Sequence, residues 1–351
     1  MARMTYPILF GLLFGAVLAL FASPWSPMKQ QGPVSYADAV SRAAPSVVNI
    51  YTTKAVRSRT YNNYSNDPIL NYFLNQRQRR FQQKQELSLG SGVIVSKEGF
   101  ILTCYHVIRD AEEILVLLYD GREALATVIG TDQESDLAVL RVALDNLTPI
   151  TFGKPEKLRV GDPVLAIGNP YGFGQSVTAG IVSATRRHGL NLNTYEDFIQ
   201  TDADINLGSS GGALINGEGL LVGINSAIYS QTGGSQGIGL AIPIDIASKV
   251  MTDLIQRGQV IRGWLGLEAA QVEAMVVITR IYPGSPAERA GVLPGDILLA
   301  IDGKPIRSGK EGLFEVASLQ PGTTIQIELK RDNQTLLLPT IVGIRPATEK
   351  P

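Results

Sequence analysis

Short runs of apolar and β-branched residues, separated by Gly, Asp or Asn, dominate most of this chain. Runs of this length with turn residues between them predict an all-β region of about a dozen short strands, arranged as a barrel pair or sandwich. The predicted strands are Val47–Thr52, Gly92–Ser96, Phe100–Val107, Ile114–Tyr119, Ala124–Gly130, Leu137–Val142, Val164–Ile167, Ser176–Ala184, Phe198–Thr201, Ala213–Ile215, Leu220–Ala227 and Gly239–Pro243.

Two helices are predicted at the ends of this β region. Ser35 is expected to cap a short helix that runs through Ala44 and stops at Pro45. A second helix is predicted between the candidate N-cap Asp245 and Gly258, because apolar residues recur there on one helical face. The residues of that face are Ile246, Val250, Leu254 and Ile255.

The pattern also indicates where the chain divides. Residues 29–258 form the predicted first domain, and residues 263–345 form a smaller, strand-rich second domain. Gln259–Arg262 is predicted to be a short hinge between the two domains. Within the first domain, residues 57–86 are rich in Asn, Gln and basic residues, which indicates a long mobile loop with a solvated basic face rather than a binding site.

Residues 1–28 carry a membrane or export signal. No charged residue occurs between Arg3 and Lys29, and Tyr6–Trp25 is long enough, at about 1.5 Å per residue, to cross a hydrocarbon core of about 30 Å. Aromatic residues at both ends of this segment suit the membrane interface. The alternative is a cleaved signal peptide, and both interpretations predict that the rest of the chain is exported.

Composition excludes several classes of function. The net charge of −1 lacks the basic excess of a nucleic-acid-binding protein, and 44% hydrophobic residues argue against disorder. The one Cys, Cys104, cannot form an intramolecular disulfide. Two His and one Cys cannot supply a conventional closed zinc site, so neither a metal nor a cofactor is predicted.

Three segments carry residues suited to nucleophilic catalysis. Ser210 is flanked by Gly in the segment Asn206–Gly212, His106 ends an apolar strand, and Asp136 precedes another strand. Taken singly, each is an ordinary turn or strand-end residue. Together, the order His, Asp, Ser in an all-β chain, with Ser in a Gly-x-Ser-Gly-Gly turn, matches one of the convergent catalytic triads.

Each of these residues is given a role by that arrangement. His106 is the expected general base and then acid, Asp136 fixes its tautomer, and Ser210 attacks a carbonyl carbon. The backbone of Gly208 and Ser210, with Ser209 nearby, is expected to form the oxyanion hole. The rivals are Asp132 for the acid and His188, which lies in a basic, loop-like stretch.

These segments resemble the signature segments of HtrA-type serine proteases. The segments are Leu102–Val107, Ser135–Val139 and Gly208–Leu214, supported by Ala166–Gly172, Gln200–Asn206 and Gly239–Pro243. The family usually has Asn in place of Ser209, Cys104 and Tyr105. The resemblance implies a mostly β fold with a chymotrypsin-like double β-barrel, a homotrimer, and an active site that can rest misaligned. It also implies that Arg187 is the regulatory loop arginine; the alternative is that Arg187 is a plain surface charge.

The second domain contains a candidate peptide-binding edge. Backbone N–H groups near Leu265–Leu267 can capture a C-terminal carboxylate while the peptide adds a strand to the sheet. The segment resembles the PDZ domain of HtrA-type proteases, with Trp264, Leu265, Gly266 and Leu267 as its carboxylate-binding loop. The implied ligands are hydrophobic C-terminal peptides.

One PDZ domain behind a retained anchor resembles the DegS type of this family. The resemblance implies a single-pass protein of the bacterial inner membrane with its catalytic body in the periplasm. Its implied activator is the C-terminus of a misfolded outer-membrane protein, and its implied substrate is the periplasmic part of a membrane anti-sigma factor. A soluble periplasmic quality-control protease and an inactive PDZ adaptor remain as alternatives.

Overall fold

The computed structural model describes residues 35–55, 85–170, 174–190, 192–228 and 237–346. Contacts divide the chain into two units, Met1–Tyr36 and Ala37–Pro351, and the fold below belongs to the second. No helix in the described ranges has the length and apolar character needed to cross a membrane. The predicted anchor Tyr6–Trp25 and most of the predicted loop 57–86 lie outside the described residues.

The first sheet is built from the N-terminal part of the first domain. Its strands are β1 (Val47–Ala55), β2 (Gln85–Ile94), β3 (Phe100–Cys104), β4 (Glu113–Leu117), β5 (Glu123–Leu125), β6 (Thr127–Asp132) and β7 (Leu137–Arg141). They pair in the order β5–β4–β1–β2–β3–β7–β6, and every pair is antiparallel. Since β2 begins at Gln85, the last two residues of the predicted loop belong to a strand.

The second sheet closes into a six-stranded barrel. Its strands are β8 (Pro163–Gly168), β9 (Ser176–Arg187), β10 (Phe198–Thr201), β11 (Ala213–Asn216), β12 (Leu221–Ile228) and β13 (Gly239–Pro243), in the order β10–β13–β12–β11–β8–β9. Buried aliphatic side chains such as Val164, Leu214 and Val222 fill it. Of the two barrels expected, the second is therefore closed, whereas the first is a seven-stranded sheet within the described residues.

Helices and short 3₁₀ turns lie at the ends of these sheets. They are α1 (Ala37–Ala43), the 3₁₀ turns Ala44–Ser46 and Pro155–Lys157, α2 (Tyr105–Ile108) and α3 (Ile244–Arg257). The sequence predicted that the helix would end at Pro45. In the structure Pro45 lies inside a 3₁₀ turn that continues directly from α1. Asp245 is in the first turn of α3, because Pro243 is the actual N-cap. Gly258 ends α3 as predicted, with a left-handed φ of 72°.

The second domain is a smaller sheet with two helices. Its elements are β14 (Gly263–Trp264), β15 (Leu267–Val272), β16 (Met275–Ile281), α4 (Pro286–Arg289), β17 (Ile297–Ile301), β18 (Lys304–Pro305), α5 (Gly309–Ala317), β19 (Thr324–Arg331), β20 (Gln334–Ile341) and β21 (Gly343–Ile344). The main sheet has the order β15–β16–β17–β19–β20, which leaves β15 at one edge. Buried aliphatic residues, Ile278, Ile327 and Leu329 among them, form its core.

Ion pairs connect the second domain, and the segment before it, to the first domain. Arg262, which belongs to the segment predicted as a hinge, is buried and pairs with Asp132 and Glu134. Arg345, near the end of the second domain, pairs with Glu134 at 2.9 Å, and its backbone N–H donates to the Arg262 carbonyl. The segment predicted as a hinge thus ends in a buried residue that an ion pair connects to the first domain.

Candidate active site

Strand pairing brings His106 and Asp136 together. Strand β3 pairs with β7 so that Cys104 lies opposite Leu137, which places the residues after β3 next to the residue before β7. The sequence predicted a longer strand through Val107, but β3 ends at Cys104 and His106 lies in the short helix α2. The helical turn presents two groups of His106, its backbone N–H and its imidazole, to the same carboxylate.

Two hydrogen bonds join His106 to Asp136. Asp136 Oδ2 is 2.7 Å from His106 Nδ1, and Asp136 Oδ1 accepts the His106 backbone N–H at 2.9 Å. With Nδ1 held by the carboxylate, Nε2 is the ring nitrogen left to exchange a proton with another group. Asp136 is buried and has a left-handed φ of 58°, a conformation that is unfavourable for a residue with a side chain. The surrounding contacts therefore fix the acid in place.

The nucleophile candidate lies on a tightly constrained turn between β10 and β11. Gly211 has a φ of 84°, and a Cβ there would lie 2.1 Å from the Ser91 carbonyl oxygen. Gly208 also has a positive φ, of 96°. Only glycine adopts these conformations without strain, which explains why Gly flanks Ser210 on both sides.

The Ser210 hydroxyl does not point at His106. It donates to the Ser226 backbone carbonyl at 2.9 Å. The hydroxyl of Ser226 in turn donates to Asp136 Oδ2 at 3.3 Å. Ser226 thus contacts both the acid and the nucleophile, and it shows that all three predicted residues converge on one site while the Ser–His bond is unmade.

Ser226 is a site residue that sequence reasoning missed. It lies on β12, far from the three motifs along the chain, and only the barrel brings it to them. The available signal was a pair of polar residues, Asn225 and Ser226, inside an apolar strand. Both are buried, and Asn225 Nδ2 donates to the carbonyls of Ile167 and Ala213.

The loop before Ser210 leaves two backbone donors available. The Ser209 N–H donates to the Asn206 carbonyl at 2.9 Å, so it is not available to a substrate. The Gly208 carbonyl accepts from Ser91 Oγ at 2.7 Å. In the described part of the chain, the N–H groups of Gly208 and Ser210 donate to no protein acceptor, and these two groups are the candidates to bind an oxyanion.

Cys104 lies beside the acid–base pair. Ligand atoms of Cys104, His106 and Asp136 lie within 4.8 Å of one another, a spacing that could hold a metal ion. Burial, followed by the negative charge of Asp136, raises the pKa of the Cys104 thiol well above its usual value. The thiol accordingly stays protonated and donates to the Asn225 carbonyl, and His106 Nδ1 is already bound to Asp136. The cluster is therefore built as a hydrogen-bond network rather than as a set of free metal ligands.

The rival residues have other partners. Asp132 pairs with Arg262 and accepts the Ser135 backbone N–H at 3.2 Å, which fixes the turn that carries Asp136. His188 contacts the Glu196 carbonyl, and its Nε2 is 3.6 Å from Asp197. Arg187 Nε donates to Gln200 Oε1 at 2.9 Å, so its partner is in the first domain.

A cavity of about 1030 Å³ lies beside the predicted carboxylate loop, lined mostly by the second domain and also by His188 and Gly189 of the first. Its lining includes Trp264–Leu267 together with Leu298, Ile301, Leu313 and Val316. The carbonyls of Leu265 and Gly266 accept from the N–H groups of Ala287 and Tyr282, inside the domain. In the described residues the N–H groups of Leu265 and Gly266 have no protein acceptor, which suits them to bind a carboxylate.

Comparisons with known proteins identify both domains. Residues 90–224 match the trypsin-like peptidase domain, and residues 277–331 match the PDZ domain. Serine endoprotease DegS of Escherichia coli (strain K12) is 38% identical, over 97% of this chain and 98% of that protein. Probable periplasmic serine endoprotease DegP-like of Hahella chejuensis is 41% identical, over 88% of this chain and 70% of that protein.

Solved structures agree with this assignment. HtrA-type protease AlgW with tripeptide has a TM-score of 0.74 and 47% identity, covering 89% of this chain and 98% of that one. HtrA-type protease AlgW with decapeptide has a TM-score of 0.72 and 46% identity, covering 90% of this chain and 100% of that one. The predicted resemblance is confirmed: the chain belongs to the HtrA family of trypsin-like serine endopeptidases with a PDZ domain, the family of DegS and AlgW.

Proposed function

We propose that this serine endopeptidase uses His106, Asp136 and Ser210 as its catalytic triad and is activated when a peptide C-terminus binds its PDZ domain. One observation carries the proposal. The acid–base pair is fully formed at 2.7 Å, whereas the Ser210 hydroxyl is held by the Ser226 carbonyl. In this conformation the Ser210 hydroxyl is bonded to Ser226 and not to His106, which supports a site that needs a change at Ser210 before it can act.

Catalysis begins when the Ser210 hydroxyl leaves Ser226 and donates to His106 Nε2. Ser210 Oγ then attacks the carbonyl carbon of the substrate as its proton passes to His106, and Asp136 stabilises the imidazolium. The resulting oxyanion accepts hydrogen bonds from the Gly208 and Ser210 N–H groups. When the C–N bond breaks, His106 donates the proton to the leaving amine, and water releases the acyl group by the same steps in reverse.

The PDZ groove supplies the activating signal in this proposal. The free N–H groups of the Trp264–Leu267 loop bind the terminal carboxylate of a hydrophobic C-terminal peptide. The peptide pairs with the edge of β15. The solved relatives that contain a tripeptide or a decapeptide support peptide binding in this family.

The signal can reach the triad through loop residues at the domain boundary. Lys310 of α5 pairs with Glu196 of the protease domain at 3.3 Å. Glu196 lies two residues before β10, where Gln200 is bonded to Arg187, and the chain continues from β10 to the nucleophile turn. We therefore assign Arg187 a regulatory role, through its bond to β10.

The setting of the enzyme follows from family likeness. We assign the body of the protein to the periplasm, anchored in the inner membrane by Tyr6–Trp25 and assembled as a homotrimer. Its substrate in this proposal is the periplasmic part of a membrane anti-sigma factor, and its activators are C-termini of misfolded outer-membrane proteins. The likeness to DegS over nearly the whole chain supports this assignment.

A soluble quality-control protease is the alternative, supported by the 41% identity to the DegP-like protein. Sequencing the N-terminus of the mature protein discriminates between the two. A start at Met1 or Ala2 supports the anchored form, and a start near Ser26 or later supports the soluble form.

Cleavage of a reporter peptide, with and without a hydrophobic C-terminal peptide, tests the main proposal. We expect the C-terminal peptide to stimulate cleavage and to increase the labelling of Ser210 by a serine-directed phosphonate. Ser210→Ala should bind the C-terminal peptide normally and cleave nothing. Undiminished cleavage by that variant contradicts the triad, and failure of the peptide to stimulate the native enzyme contradicts the activation.

A further inference from the structure

Ser91 lies on β2 of the first sheet, and its side chain is fully buried. Its hydroxyl donates to the Gly208 carbonyl at 2.7 Å, and its backbone N–H donates to the Ser210 carbonyl at 2.8 Å. A strand of the first sheet therefore holds two carbonyls of the nucleophile turn, although that turn lies between β10 and β11 of the barrel.

The bond from the Ser91 hydroxyl fixes one peptide plane of the turn. In a planar trans peptide, the carbonyl of one residue and the N–H of the next point in opposite directions. Because the Gly208 carbonyl points to Ser91, the Ser209 N–H points away and donates to the Asn206 carbonyl at 2.9 Å. Gly208 has a φ of 96°, and glycine has more rotational freedom than any other residue. The bond from Ser91 is therefore a restraint on the backbone beside the Gly208 N–H.

The bond from the Ser91 backbone fixes a second peptide plane. Between the two planes, the Ser209 carbonyl accepts the Gly212 N–H at 3.0 Å, which turns the Ser210 N–H to the opposite side. The neighbouring planes, at the Gly208 and Ser210 carbonyls, are both held by Ser91. Ser91 thus restrains the backbone on both sides of the Ser210 N–H, one of the two candidate oxyanion donors.

The hydroxyl of Ser91 has a further partner that sets its direction. The Asn169 backbone N–H donates to Ser91 Oγ at 3.0 Å, and Asn169 is buried directly after β8. Asn169 Oδ1 accepts the Gly174 N–H at 2.8 Å, which holds Asn169 in place. A hydroxyl has one proton to donate, and with Asn169 on the acceptor side that proton is left for the Gly208 carbonyl.

The position of Ser91 is set from the histidine side of the active site. Thr103, a fully buried residue of β3, donates its hydroxyl to the Ser91 carbonyl at 2.7 Å. Strand β3 leads directly into α2, which carries His106. Ser91 therefore connects, by hydrogen bonds, the strand before His106 with the turn of Ser210.

We propose that Ser91 is a positioning residue for the oxyanion hole, and that its hydroxyl keeps the Gly208 and Ser210 N–H groups directed at the substrate carbonyl. The inference rests on the proposed function, in which these two N–H groups stabilise the oxyanion. Ser91 touches no substrate atom and acts through the Gly208 carbonyl. Because an oxyanion hole binds the oxyanion more strongly than the neutral carbonyl oxygen, loss of the hydroxyl slows the chemical step and leaves substrate binding unchanged.

The variant Ser91→Ala tests this role, because it removes the hydroxyl and keeps the backbone N–H that binds Ser210. Cleavage of a reporter peptide by the full-length protein, at saturating C-terminal activator peptide, measures kcat and KM. We expect kcat to fall about tenfold, which is less than the 100–1000-fold typical of a deleted donor, because both N–H groups remain and only their restraint is lost. KM should stay within about twofold of the native value.

A peptide aldehyde with the sequence of the reporter provides a second measurement. Ser210 Oγ adds to the aldehyde carbon, and the former carbonyl oxygen of the hemiacetal occupies the oxyanion hole, as in a transition-state analogue. We expect the Ki of the aldehyde to rise about tenfold in Ser91→Ala, in step with the fall in kcat. The Kd of the C-terminal activator peptide should be unchanged, since that peptide binds the second domain.

Ser46→Ala is the matched control. Ser46 is also fully buried, and in the part of the chain that the structure describes its Oγ has no hydrogen-bond partner. The control removes the same atom from an equally buried site, so kcat and the aldehyde Ki should both stay at their native values.

The outcomes separate this inference from the proposed function. Native values of kcat and Ki in Ser91→Ala overturn the inference and leave the triad intact. A fall in kcat accompanied by an equal loss of activator binding shows a general structural defect and also overturns it. If the native protein neither cleaves the reporter nor binds the aldehyde, the proposed function fails together with the inference.

Discussion

The two halves of the active site are fixed to different degrees. His106 and Asp136 sit on the first sheet, joined by two hydrogen bonds and supported by a buried ion pair behind Asp136. Ser210 sits on the barrel, in a glycine-rich turn, with one hydrogen bond that holds it away from His106. The difference teaches that the acid–base pair is already formed, whereas the nucleophile half is the part that the proposed activation has to change.

The largest effect should come from the acid. Asp136→Asn removes the carboxylate that accepts both His106 N–H groups, so the imidazole loses its required tautomer. We expect the peptide-stimulated rate to fall by about 10⁴-fold with little change in peptide binding. Cleavage assays at saturating activator measure it. A rate within tenfold of the native enzyme would show that Asp136 does not orient His106.

The anchor behind the acid should matter for stability. Arg262→Met leaves Asp132 as a buried carboxylate without its guanidinium partner, and we expect a loss of roughly 3–5 kcal/mol, measured by denaturant unfolding. Adding Asp132→Asn removes the orphaned charge but keeps an oxygen that can accept the Ser135 N–H, and it should restore part of the loss. If the single variant is as stable as the native protein, the ion pair does not hold the acid side in place.

The nucleophile turn should tolerate no added atom. Gly211→Ala places a Cβ against the Ser91 carbonyl at a positive φ, which displaces the adjacent oxyanion donors. We expect about 100–1000-fold less activity. Gly121→Ala is the matched control, because Gly121 also has a positive φ, of 87°, but nothing within 4 Å. Equal losses in the two variants would mean that backbone conformation, and not the Ser91 contact, is responsible.

The smallest effect on the cleavage rate should come from Ser226, which contacts both Asp136 and Ser210. Ser226→Ala removes the long hydrogen bond to Asp136 but keeps the carbonyl that holds Ser210. We expect a two- to tenfold lower stimulated rate, the range of one ordinary hydrogen bond. Ser248→Ala, which removes an exposed hydroxyl on α3, should change nothing. A loss near that of Asp136→Asn would assign Ser226 a larger part in orienting the acid.

The sequence pointed to the candidate triad because its residues lie in short motifs. The Gly-x-Ser-Gly-Gly turn and the residues around His106 carry their chemistry locally, and strand boundaries such as Phe198–Thr201 were predicted correctly. Pairing partners that are distant along the chain could not be predicted. Ser226 contacts Asp136 only because of the order of the strands. Arg262 was interpreted as a hinge residue because no residue near it in the sequence indicates its pairing with Asp132.

The direction of the Ser210 side chain is likewise beyond sequence. One residue has several rotamers, and the choice between His106 and the Ser226 carbonyl depends on differences of about 1 kcal/mol. The sequence motifs indicate that Ser210 and His106 lie in one site, whereas the rotamer of Ser210 decides whether the two side chains are hydrogen-bonded.

In the proposed activation, the hydrogen bond from Ser210 to the Ser226 carbonyl sets the energy scale of regulation. A neutral hydrogen bond contributes about 1 kcal/mol, and a tenfold change in population requires about 1.4 kcal/mol. A hydrogen bond of that strength, acting alone, still leaves a minority of molecules with the Ser210 hydroxyl free to bond to His106. An effector then needs only a modest difference in affinity between the two forms to reverse the balance. Cleavage should accordingly increase gradually as the effector concentration rises, and the protein should show measurable basal activity without effector.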